Sequence, residues 1–135
     1  MEKKRRLIYI ERISIRWGDM DAYGHVNNTV YFRFMEQARV GWMQELGLDL
    51  VAPEQGPVIV TASCAFLKQL DFPGTVEVRM YAGELGRSSL MSYYELRREG
   101  EEELCATGEA KIVWADQRVR KSMPIPPHIR RLLEA

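Results

Sequence analysis

Asp19, Asp21, His25, Asn27 and Asn28 fall within ten positions, in the stretch GDMDAYGHVNN at residues 18–28. Carboxylates placed so closely can attack a carbonyl directly or deprotonate a water that does. The asparagine pair leads into an apolar run, TVYFRFMEQARVGWMQELG, that reads as a helix with Asn27 or Asn28 as its N-cap and Gly47 at its end. The first N–H groups of such a helix have no intrahelical partner, and the helix dipole adds positive charge there. They can polarise a carbonyl and hold the oxyanion formed on attack, a contribution of about 3–4 kcal/mol per donor. Each residue also has a purely structural reading. Asp19 can bond its own loop backbone, His25 can be a satisfied structural histidine, and the asparagines can simply cap.

Other chemistries find no footing. There is no G-x-S-x-G elbow and no P-loop, and GELGRSS at 83–89 is not a dinucleotide fingerprint. His25 and His128 lie at opposite ends of the chain and give no metal-ligand spacing, so no metal is expected. Cys64 sits mid-strand in an apolar run, where a buried inert thiol is the expectation. Formal net charge is zero, which argues against nucleic acid as a partner. The run Lys3, Lys4, Arg5 and Arg6 reads as a solvated tail. No apolar stretch has the length of a membrane span, and no signal peptide is evident. Two cysteines without metal or redox spacing, Cys64 and Cys105, suit free thiols in a cytoplasmic protein.

These candidates need a scaffold to converge. At 135 residues, 46% hydrophobic and 28% charged, the chain suits one globular domain spanning 1–135. Residues 7–16 alternate at Ile8, Ile10, Ile13 and Ile15 with a slip near Glu11, which reads as a strand with a bulge there. The loop follows, with Gly24 as its turn. In the helix, Tyr31, Phe34, Met35, Ala38, Trp42 and Leu46 share one side, while Phe32, Val40 and Met43 lie on the other. An apolar helix of this kind is expected to be buried on most of its surface, in the concavity of a sheet. Residues 57–67 are apolar or small on both faces and predict a central strand. Residues 75–82, 88–98 and 103–115 predict three more, the last two joined by a hairpin turn at 99–102. Pro124, Pro126 and Pro127 stop the sheet, and HIRRLLEA at 128–135 predicts a short helix. The expected architecture is α+β, a four-strand antiparallel meander after the first strand and helix, with one sheet wrapped around one long helix.

The stretch GDMDAYGHVNNTVYFRFMEQAR resembles the signature of hotdog-fold acyl-CoA thioesterases of the 4-hydroxybenzoyl-CoA thioesterase-like family, closest in its D-x-D-x-x-x-H-V-N-N-x-x-Y pattern to the long-chain acyl-CoA branch and to plant acyl-ACP thioesterases. VIVTASCAFLKQLDFPGTVEV and LGRSSLMSYYEL resemble that family's later strands. The resemblance implies hydrolysis of acyl-CoA thioesters. It implies Asp21 as catalytic carboxylate, the backbone N–H near Asn28 as oxyanion donor, and His25 as an orienting partner. Asn27 and Tyr31 become substrate contacts, and Arg87 with Ser88 a site for the nucleotide end of coenzyme A. Arg118, Arg120 and Lys121 form a second basic cluster for the same purpose. The resemblance also implies a homodimer or tetramer with the active site at the subunit interface, and no cofactor. Tyr23 stands where the acyl-ACP thioesterase pattern D-x-N-x-H carries asparagine, which points away from an acyl-ACP substrate. A hydratase or dehydratase of the same fold, or a non-catalytic acyl-thioester binder, are the competing functions. The apolar side chains Phe32, Met35, Met43 and Phe66 offer either an acyl pocket or core packing.

Overall fold

The computed structural model describes residues 4–51 and 53–134. Strand β1 (Arg6–Ser14) leads through the loop to helix α1 (Asn28–Glu45). Strands β2 (Gln55–Phe66), β3 (Thr75–Leu85), β4 (Ser89–Arg98) and β5 (Leu104–Asp116) follow, then β6 (Lys121–Ser122) and helix α2 (Pro127–Glu134). All strand pairs are antiparallel, in the order β1-β3-β4-β5-β2, with β6 added to β5. The α+β architecture expected from the sequence is the one observed. Lys3 and Ala135 lie outside the described residues.

The core sits between α1 and the concave face of the sheet. Val76, Val78 and Met80 on β3, Leu90, Tyr94 and Leu96 on β4, and Ala110, Ile112 and Trp114 on β5 are buried on that face. Tyr31, Phe34, Met35, Ala38 and Trp42 meet them from the helix. Gly41 lets α1 approach β1 closely: a Cβ there would lie 2.5 Å from the Tyr9 ring. Asn27 caps the helix through its side chain, and Gly47, with φ of 77°, follows its end.

Four expectations need correction. The strand over 57–67 is not central. As β2 it is an edge, bonded to β5 alone, with Ile59, Val60 and Phe66 exposed. Its two apolar faces are surface that this chain leaves open, and they mimic the pattern of a strand covered on both sides. The four-strand meander is therefore three strands, β3-β4-β5. Helix α1 crosses the concavity and delivers β2 to the far edge, while β1 takes the place beside β3. The bulge lies between Leu7 and Tyr9 rather than near Glu11, so Tyr9 and Ile13 face the core while Ile10 pairs with Arg79 on the outer face. Finally, α1 packs on β1 and β3 and keeps its other side open, with Phe32 exposed and Val40 and Met43 half-buried.

Arg5 and Arg6 of the basic N-terminal run are engaged rather than simply solvated. The Arg5 guanidinium lies 3.6 Å from the Tyr93 ring centroid, and Arg6 donates to the carbonyls of Leu132 and Leu133 at the end of α2. Proline at the first position of α2 needs no N–H partner, so that helix begins one residue earlier than His128. No helix among the described residues is long and apolar enough to cross a membrane.

Candidate active site

The loop between β1 and α1 is built by its own hydrogen bonds. Asp19 is buried. Its carboxylate accepts from the Arg16 backbone N–H at 2.8 Å and from the Arg16 guanidinium at 3.1 Å. Its carbonyl accepts from the Asn27 N–H at 3.0 Å. Asp19 thus follows its structural reading and is spent on shaping the loop. A tight turn follows: the Asp21 N–H donates to the His25 carbonyl at 2.9 Å, and the Gly24 N–H to the Asp21 carbonyl at 3.0 Å. Gly24 has φ of 82°, a conformation that favours glycine.

This turn presents the Asp21 carboxylate to solvent beside the start of α1. One oxygen accepts from the Tyr23 N–H at 2.9 Å and the other from the Asn27 side-chain amide at 3.3 Å. The Asn27 amide oxygen accepts from the Thr29 N–H at 2.9 Å and from the Thr29 hydroxyl at 2.6 Å. The Asn27 carbonyl takes the Val30 N–H at 2.9 Å. The Asn28 N–H has no partner among the described residues, next to the residue that holds the carboxylate.

Asp21, His25, Asn27, Asn28, Tyr31 and Phe66 share a cavity of about 460 Å³, whose wall continues through Lys68. Part of its wall is aromatic. Tyr31 and Phe66 meet edge to face with centroids 5.1 Å apart. Tyr31 is itself buried, and its hydroxyl accepts from the Leu70 N–H at 3.2 Å. The His25 Nδ1 atom is buried and has no hydrogen-bond partner among the described residues. The arrangement can set a carbonyl oxygen on a free helix amide with a carboxylate at its side, the geometry for acyl transfer to water.

Other candidates are placed elsewhere. Arg87 and Ser88 lie in the β3–β4 turn, at the far end of the sheet from the loop. Arg87 is exposed, and its carbonyl accepts from Ile125 and Arg130. Arg118 is committed to Asp116 at 3.0 Å and to Glu54 at 3.6 Å, which weakens the second basic cluster as a phosphate site. Met35 is core, and Phe32 faces solvent outside the cavity. Cys64 is half-buried, and burial pushes its thiol up to about 11, so it is no nucleophile near neutral pH.

Two features escaped the sequence reading. Lys68 stands at the cavity with its ammonium between Glu101, at 3.4 Å, and Glu103, at 3.1 Å. Those carboxylates lie more than thirty residues away in the β4–β5 connection, so spacing carried no hint of them. Arg39 is buried on α1 and donates to the Tyr94 hydroxyl at 3.4 Å. Tyr94 in turn bonds Ser92 at 2.6 Å, and Ser92 donates to the Ala110 carbonyl at 2.8 Å. An arginine inside an apolar helix stretch was the available signal.

Known proteins share this fold. The family described as the thioesterase-like superfamily matches residues 15–133. The structure of the PA2801 protein from Pseudomonas aeruginosa superposes with a TM-score of 0.92 at 41% identity, covering 95% of this chain and 99% of that one. The gentisyl-coenzyme A thioesterase BH1999 superposes with a TM-score of 0.80 at 30% identity, covering 90% and 98% respectively. The uncharacterized protein YsmA of Bacillus subtilis (strain 168) is 25% identical over 122 residues, 90% of this chain and 82% of that protein.

Proposed function

The chain belongs to the thioesterase-like superfamily, and from that membership we propose that it hydrolyses acyl-CoA thioesters to the free acid and coenzyme A. The observation that carries this reading is the Asp21 carboxylate, tethered by Asn27, beside the unpartnered Asn28 N–H. The thioester carbonyl oxygen accepts from that N–H. Asp21 takes a proton from water as the water attacks the carbonyl carbon, or attacks the carbon itself to give an anhydride that water then opens. The oxyanion is held at the helix start, the C–S bond breaks on its collapse, and the leaving thiolate is protonated. His25 flanks the carboxylate, and Tyr31 and Phe66 receive the acyl group.

A second copy completes the assembly in this reading. The free β2 edge is apolar and open, a hazard unless covered. Two copies joined antiparallel along β2 around a twofold axis set the Gln55 end of one strand beside the Phe66 end of the other. Val113 pairs with both Val58 and Ser89, so the β3–β4 turn travels with the Gln55 end of β2. The turn carrying Arg87 and Ser88 is then brought from the second copy toward the Asp21 cavity. This supports a homodimer, able to pair again into a tetramer, with the nucleotide end of coenzyme A held by Arg87 of the neighbouring copy.

The test is release of free thiol from a panel of acyl-CoAs, straight-chain, branched and aromatic. The gentisyl group named for one relative puts hydroxylated aromatic acyl groups on that panel. Thiol release supports hydrolysis. A changed acyl chain with the thioester intact contradicts it in favour of a lyase, and binding without turnover contradicts it in favour of a binding protein.

A further inference from the structure

Arg98, at the end of β4, takes no part in the cavity lined by Asp21. Its guanidinium nevertheless makes three hydrogen bonds into the segment before β3. It donates to the Pro73 carbonyl at 2.9 Å, the Asp71 carbonyl at 2.9 Å and the Asp71 carboxylate at 2.9 Å. A planar fork reaches these three acceptors from two separate nitrogens, whereas a lysine offers its three donors from a single one. Gly74 preserves the room: a Cβ there would land on the Arg98 guanidinium.

The segment so held touches the Asp21 loop at both of its ends. The Gly74 carbonyl accepts from the Ile15 N–H at 2.8 Å, where the loop begins. The Leu70 carbonyl accepts from the Val26 N–H at 2.8 Å, one residue before the helix cap. Leu70 also donates its N–H to the Tyr31 hydroxyl at 3.2 Å, and the Phe72 N–H meets the Met20 sulfur at 3.5 Å. Residues 70–74 therefore brace the loop from Ile15 to Val26 and the first turn of α1.

We propose that Arg98 is a positioning residue: by stapling residues 71–74 it sets the position of Asp21, Asn27 and the Asn28 N–H relative to one another. This rests on the reading of Asp21 and Asn28 as the reacting groups. A displacement on the order of 1 Å at such a site costs about a hundredfold in rate, so a brace that never touches substrate acts on kcat.

The test uses the full chain with Arg98→Ala and Arg98→Lys. In Arg98→Ala, kcat falls about tenfold or more, while KM for acyl-CoA moves little. Millimolar guanidinium restores part of the lost kcat, and Arg98→Lys falls between the two. Amide hydrogen exchange quickens at Ile15 and Val26 but not at Val78, Leu96 or Ile112. Unchanged kcat in Arg98→Ala, or a loss carried by KM alone, overturns the proposal. So does unchanged exchange at Ile15 and Val26. The exchange arm needs no turnover, so it decides the brace even where no acyl-CoA is hydrolysed. If Arg98→Ala fails to fold, Arg98→Lys carries the same readings.

Discussion

Asn27 holds the Asp21 carboxylate with its side-chain nitrogen, 3.3 Å away, while its side-chain oxygen caps the Thr29 N–H at 2.9 Å. One amide thus fixes both the helix start and the carboxylate beside it. Asn27→Asp separates the two duties. Aspartate caps as well as asparagine, so unfolding stability should change by less than about 1 kcal/mol. The donor to Asp21 is lost and a like charge replaces it, so kcat should fall about tenfold or more. Thermal denaturation and thiol-release kinetics on the same preparation check both halves.

Tyr94→Phe removes the hydroxyl that accepts from buried Arg39 and bonds Ser92. Loss of a buried acceptor for a charged donor should cost about 1–3 kcal/mol of stability. The denaturant midpoint should fall with an unchanged slope, and thiol release at room temperature should persist.

Cys64→Ala should leave hydrolysis within about twofold of the natural chain, because the thiol pushed up to about 11 supplies almost no thiolate at neutral pH. Alkylation of folded Cys64 at pH 9 should run far slower than that of a free thiol. The sign of the linkage follows. Folding favours the neutral thiol, so its contribution to stability is complete below the ordinary thiol range and is lost as pH rises through about 11.

The α+β class, the cap at Asn27, the end near Gly47 and the hairpin at Gly100 were legible because each rests on local chemistry. The place of β2 was not. An edge strand with apolar residues on both faces carries the same pattern as a central one. At the site, the resemblance pointed to Asp21 and local chemistry to an asparagine cap, and the structure joins Asp21 and Asn27 by a hydrogen bond. Residue type and spacing left Asp19 and Asp21 alike, the resemblance pointed to Asp21, and the structure adds that Asp19 is held by Arg16. Lys68 and Arg98 draw their meaning from carboxylates and carbonyls brought in from distant elements, which no local window contains.

Arg87→Ala should raise KM for whole acyl-CoA a few-fold with kcat nearly unchanged, and should spare a short thioester lacking the nucleotide. An arginine–phosphate contact at a wet surface is charge-assisted but screened. The difference between the two substrates should therefore shrink as salt is raised. Equal losses on both substrates would assign Arg87 to structure.

The measurement that bears most directly on the whole account is steady-state thiol release by Asp21→Asn. The substitution keeps the side chain's shape and removes its charge and basicity. The variant should fold and still bind acyl-CoA, with kcat lowered roughly a hundredfold or more. Turnover like that of the natural chain in a folded Asp21→Asn protein would contradict it.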